Sequence, residues 1–217
     1  MRETLSGIFV AGELEQRYMN GIRELGVPCI VLDFYSPVYP NNYIHINNFH
    51  LGFTAAEYLI GKGHTRIGFV GDVYSTHAVC ERYLGYCKAL ITHKIAANSE
   101  WHINMNLEHG AEIDNILPAV LPTAFITHCD SAAQKLYIAL RLAGLSVPGD
   151  VSIVSFDNTA LCKVLNPTLT SVGVDTARFA AKGLESMDKL MKGYAKRINI
   201  ELPPPAICER NSVRTIT

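Results

Sequence analysis

The 217-residue chain lacks any surplus of charge: 19 lysines and arginines stand against 20 aspartates and glutamates, a net charge of −1. It also lacks any run of Lys or Arg, so it offers no electrostatic footprint for the phosphates of nucleic acid. No stretch approaches the roughly 18 consecutive apolar residues that cross a membrane. Met1-Arg2-Glu3-Thr4 leads into only a short apolar run rather than a signal peptide, so a cytoplasmic protein is expected. The six cysteines (29, 80, 87, 129, 162 and 208) form no CxxC pair. That argues against a zinc site and structural disulfides and for free thiols in a reducing compartment. The eight histidines show neither HxxxH nor HExxH spacing, so no metal is expected. GxSxG, Walker and complete GxGxxG loops are missing as well, which leaves no catalytic residues and no cofactor to assign. His128-Cys129-Asp130 puts catalytic letters in a row, but a nucleophile needs its base beside it in space rather than in sequence.

The chain does contain a regular alternation. GIFVA (7–11) reads as a buried strand, 13–25 as a helix with helical spacing at Leu14, Tyr18, Ile22 and Leu25, and 28–32 as a second strand ending in Asp33-Phe34. A Pro-, Tyr- and Asn-rich loop (35–42) precedes a short strand at 43–46 and then Asn47-Asn48. Helices are predicted at 50–62, 77–94, 107–117, 131–143 and 175–192. Strands are predicted at 66–71, 101–104, 123–127, 171–174, 198–202 and 206–209. Strands alternating with helices at this spacing mean a doubly wound parallel α/β sheet, and two such sheets are more economical than one.

The most informative stretch runs from Leu142 to Thr170. Ala143-Gly144 ends a helix, and Val147-Pro148-Gly149-Asp150 is turn chemistry. VSIVSF is then too apolar for a half-exposed strand and reads as buried and parallel. Asp157-Asn158 stands at its carboxyl end, the place where open parallel sheets bind ligands.

Several segments carry a likeness to a known family: Gly63-His64-Thr65-Arg66-Ile67-Gly68-Phe69-Val70-Gly71, Glu81-Arg82-Tyr83-Leu84-Gly85-Tyr86, Pro122-Thr123-Ala124-Phe125 and Cys129-Asp130-Ser131-Ala132-Ala133. Val147 to Asn158, Asn166-Pro167-Thr168-Leu169-Thr170 and Glu209-Arg210-Asn211-Ser212 complete the set. In this order the chain resembles the effector-binding core of the LacI/GalR family of bacterial transcription regulators. The resemblance implies two Rossmann-like lobes with parallel sheets, of the periplasmic-binding-protein-like type I, with a small molecule bound in the cleft. The crossovers would fall near Asn47, Val172 and Leu202, giving one lobe of 1–47 plus 174–201 and another of 48–173 plus 202–217.

The family's helix-turn-helix, hinge helix and first two βα units would precede GIFVA. The first lobe is therefore expected to be truncated, with GIFVA at an unfilled sheet edge, and DNA contact to belong to a missing N-terminal domain. The implied function is sensing of a small metabolite, sugar-like, by a homodimeric repressor that is neither an enzyme nor membrane-bound. The alternative is a solute-binding protein for sugar uptake. Two positions depart from the family: Cys129 stands where an Asn is usual, and Asn47 where an Asp is usual.

The expected ligand contacts are Asp157, Arg82, Asp130, Asp33, Phe34, Asn47, Tyr74 and Thr76. Arg82 can offer paired donors to hydroxyls or a carboxylate, or can serve as a surface ion pair with Glu81 or Asp72. Asp157 can accept from ligand hydroxyls, cap the following helix, or do both. Asp130 reads equally as a ligand contact and as an N-cap. Phe34 is a stacking face or a packing residue. Tyr74 and Thr76 are loop donors or idle surface groups.

Overall fold

The computed structural model describes residues 5–105 and 116–217. The helix expected at 107–117 lies outside the described residues, save Ile116 and Leu117. In chain order the elements begin with β1 (Ile8–Ala11), α1 (Gln16–Glu24), β2 (Cys29–Leu32), β3 (Asn42–His45), α2 (Asn48–Gly61), β4 (Ile67–Val70) and α3 (His77–Thr92). A one-turn 3-10 helix, Ser99–Trp101, runs into β5 (His102–Ile103), followed by β6 (Ala124–Thr127), α4 (Asp130–Leu142) and β7 (Ser152–Asp157). The chain closes with α5 (Leu161–Val164), β8 (Thr170–Gly173), α6 (Thr176–Met191), β9 (Ile198–Glu201) and β10 (Ile207–Cys208). These elements fall into two compact units, Met1–Asn47 with Asp175–Pro204, and Asn48–Val174 with Pro205–Thr217.

The first unit holds a four-stranded sheet in the order β1-β2-β3-β9, parallel throughout. Cys29, Ile30 and Val31 of β2 are all buried, as an inner strand covered on both faces requires, whereas β1 ends the sheet and buries only Val10. Val10, Met19, Cys29, Val31 and Phe34 form the core of this unit. Helix α1 exists where its spacing predicts, but with a different face inward. Met19 is its buried residue and Ile22 packs partly, while Leu14, Tyr18 and Leu25 are exposed.

The second unit holds a six-stranded sheet in the order β10-β8-β7-β6-β4-β5. Only β10 among these strands runs antiparallel to its neighbour; the other pairings are parallel. Strand β7 lies between β6 and β8, with all of Ser152–Phe156 buried, so the VSIVSF run is the inner parallel strand its composition demands. Helices α2 and α3 approach closely because Gly52 and Gly85 face each other's backbones. A Cβ on Gly52 would collide with the Arg82 carbonyl, and one on Gly85 with the Phe49 carbonyl.

The C-terminal segment is stitched into the same unit. Ser212 Oγ donates to the Ile153 carbonyl and accepts from the Thr170 amide, and the Ile216 amide donates to the Lys62 carbonyl. The buried His64 bridges Thr123 and the Arg214 carbonyl. Burial holds its pKa below the ordinary value, so the imidazole is neutral and Nε2–H is the donor to that carbonyl.

Candidate functional site

Within the second unit, Arg82 and Asp157 meet at the carboxyl end of β7. Arg82 sits in the second turn of α3, a helix opened by Thr76, whose hydroxyl accepts from the Val79 amide at 3.3 Å. The close approach at Gly52 and Gly85 brings Asn48, the first residue of α2, beside the guanidinium. Arg82 Nε donates to Asn48 Oδ1 at 2.9 Å and Nη1 to the His128 carbonyl at 2.7 Å. Nη1 also reaches Asp157 Oδ1 at 3.4 Å, and the guanidinium lies 4.8 Å from the Phe156 ring centroid. The residue is only 6% exposed, yet Nη2 has no hydrogen-bond partner among the described residues. A buried cation held on one edge and open on the other is prepared for an acceptor from outside.

Asp157 presents its carboxylate from a left-handed backbone conformation, φ 95°, and Asn158 follows at φ 50°. Two consecutive non-glycine residues in this region are unusual, although Asn and Asp tolerate it best. The Asp157 side chain is 36% exposed, and Oδ2 has no partner among the described residues. Burial pushes its pKa above the usual carboxylate value; the Arg82 charge opposes that shift, and the neighbouring Asp130 adds to it.

The remaining expected contacts fall in varied places. Asp130 is 1% exposed, and both of its oxygens are occupied inside the protein. Oδ1 accepts from Ser171 Oγ at 2.9 Å, and Oδ2 accepts from the Thr159 amide at 2.7 Å and the Thr159 hydroxyl at 2.9 Å. It is the first residue of α4 rather than its cap. That cap is Cys129, whose side chain makes no capping bond and whose thiol is held protonated chiefly by burial. Tyr74 is 91% exposed, in a loop fixed by its amide donating to Asp72 Oδ1.

Asp33, Phe34 and Asn47 belong to the first unit. Asp33 follows β2 at φ 63° and accepts from the Ile46 amide. Phe34 is 6% exposed, packed into that unit's core, which is the packing role rather than the stacking one. Asn47 is half-buried at the end of its unit's N-terminal segment.

Sequence reading does not single out Asn48, which orients Arg82, nor His128, which receives it through a backbone carbonyl. Asn48 lies next to an expected contact, and the His128 role leaves no side-chain signature. The His128 ring donates through Nδ1 to the Val70 carbonyl, and burial lowers its pKa, so it stands neutral beside the arginine.

The model of the periplasmic binding protein-like domain family matches residues 56–213. The HTH-type transcriptional repressor PurR of Vibrio campbellii is 28% identical over 198 residues, covering 89% of this chain and 59% of that protein. The chain spans about three-fifths of the length of the curated relatives it matches. Among solved structures, a transcription regulator from Lactobacillus plantarum aligns with a TM-score of 0.89 at 24% identity, covering 99% of this chain and 83% of that one. A LacI family regulator from Enterococcus faecium, solved with bound ribose, aligns with a TM-score of 0.85 at 23% identity, covering 98% and 81%. At these identities the structures speak for the fold: an α/β architecture of parallel-rich sheets. This chain belongs to the periplasmic binding protein-like domain family.

Proposed function

We propose that this chain is the effector-sensing core of a bacterial, cytoplasmic LacI/GalR-type transcriptional regulator, and that it takes a sugar-like metabolite beside Arg82 and Asp157. The observation that carries this reading is the half-satisfied Arg82: Nε and Nη1 are engaged and Nη2 is open, next to a carboxylate whose Oδ2 is also open. Neighbouring hydroxyls on a sugar ring suit that pair, one accepting from Nη2 and the other donating to Oδ2. The ribose bound to the Enterococcus faecium regulator supports the same ligand class. Tyr74 and the Thr76 hydroxyl, in the same unit, are further contacts under this reading.

DNA would be engaged by a helix-turn-helix domain outside this chain, as the name of the Vibrio campbellii repressor suggests. The effector acts by binding one conformation of a homodimer better than another. The reading needs no cofactor and no chemical step.

Thermal unfolding against a panel of pentoses, hexoses, sugar phosphates and nucleobases tests it. A ligand at 100 times its Kd adds about 2.7 kcal/mol of stability, which raises Tm by several degrees for a chain of this size. The shift is expected with a sugar and is expected to vanish in Asp157→Ala. A shift of the same size in that variant would remove Asp157 from the site.

A further inference from the structure

The left-handed pair Asp157-Asn158 does not hold itself. Its neighbours come from three separate parts of the second unit. Arg210, in the C-terminal segment, donates from Nη2 to Asn158 Oδ1 at 2.6 Å and from Nη1 to the Leu169 carbonyl at 2.6 Å. Its own amide donates to Thr170 Oγ1 at 2.9 Å, which ties the arginine backbone to the start of β8. Ser171 Oγ accepts from the Asn158 amide at 3.0 Å and donates its own hydrogen bond to Asp130 Oδ1 at 2.9 Å. Asp130 Oδ2 takes the next amide, that of Thr159, together with the Thr159 hydroxyl. Two consecutive residues, Asp157 and Asn158, thus end β7 in a conformation that non-glycine residues rarely adopt, in a turn clamped by a guanidinium on one side and a carboxylate on the other.

We propose that Arg210 and Asp130 are positioning residues: they hold the Asp157–Thr159 turn in the left-handed geometry that presents the Asp157 carboxylate to Arg82. Asp130 acts from within the fold rather than by touching the effector. Arg210 makes the C-terminal segment part of the site's support although it is far from the site in sequence. The planar fork of the guanidinium is needed, because two acceptors on different segments must be reached at once, which an ammonium does not reproduce. The assignment rests on the reading of Asp157 as an effector contact, but its geometry can be measured without any ligand.

The experiment is residue-resolved amide hydrogen exchange on the whole chain, comparing wild type with Arg210→Ala, Arg210→Lys and Asp130→Asn. In Arg210→Ala the Asn158 and Thr159 amides should exchange at least about tenfold faster, the factor expected from losing a charge-assisted hydrogen bond. The amides of β6 should be unaffected. Arg210→Lys should not restore protection, and Asp130→Asn should expose Thr159 most. In an Asn158→Ala background, Arg210→Ala should add little, since the acceptor is already gone. Unchanged protection at 158 and 159, or a loss that runs in parallel through β6, would overturn the proposal. Because no effector is added, either result stands apart from the outcome of the ligand panel.

Discussion

Asp157 carries an electrostatic cost that its position explains. Burial raises its pKa above 3.8, and Arg82 at 3.4 Å only partly offsets this. A carboxyl whose folded pKa lies above its unfolded value stabilises the fold where it is protonated, below 3.8, and that contribution is lost as pH rises through the folded value. At neutral pH the ionised group is therefore retained against stability, as expected of a residue kept for binding. Asp157→Asn should melt at or above the wild-type temperature at pH 7, and its advantage should shrink as pH is lowered toward 4. A clear drop in Tm at pH 7 would show instead that the ion pair with Arg82 is net stabilising. Neither the sign of this shift nor the engagement of both Asp130 oxygens is visible in the sequence, because each depends on neighbours 27 to 75 positions away.

The pairing of α2 with α3 shows how two glycines can set a side chain elsewhere. Gly52 and Gly85 allow backbone contact between the helices, and that contact delivers Asn48 to Arg82. Gly85→Ala should destabilise by about 2–3 kcal/mol, the cost of overpacking a rigid backbone contact, measured by urea unfolding. Gly21→Ala in α1 is the counter-case: nothing lies within 4 Å of the added methyl, so it should stabilise by roughly 0.5–1 kcal/mol through helix propensity. Equal effects at the two sites would refute the close-approach account. Sequence periodicity locates α1 but selects the wrong face, since Tyr18 has the right spacing for burial and Met19 is the residue buried. Only the packing of α1 in its unit decides which stripe faces inward. The four-residue α5 was likewise beyond periodicity, being about one turn long; β10 falls within the strand expected at 206–209, but its antiparallel direction was set only by its pairing with β8.

For the molecule as a whole, the proposed regulator should be a homodimer, and sedimentation should find a species of twice the 23.9 kDa chain at micromolar concentration. A single 23.9 kDa species across that range would remove dimerisation of this chain from the proposal. Its sequence alone determined the alternation of strands and helices, the parallel class of the sheets and the place of Asp157 at a strand end. Those follow from local pattern: apolar runs of strand length, glycine and proline at the turns, and a polar residue where an apolar run stops. Tertiary structure decided which polar groups face one another. Arg82 finds Asn48 and Asp157, Asp130 turns inward to Ser171 and Thr159, and Arg210 returns from the end of the chain to hold Asn158. Hydrogen bonds between residues tens of positions apart leave no period behind them, so their partners are set only when the sheet brings the strand ends together.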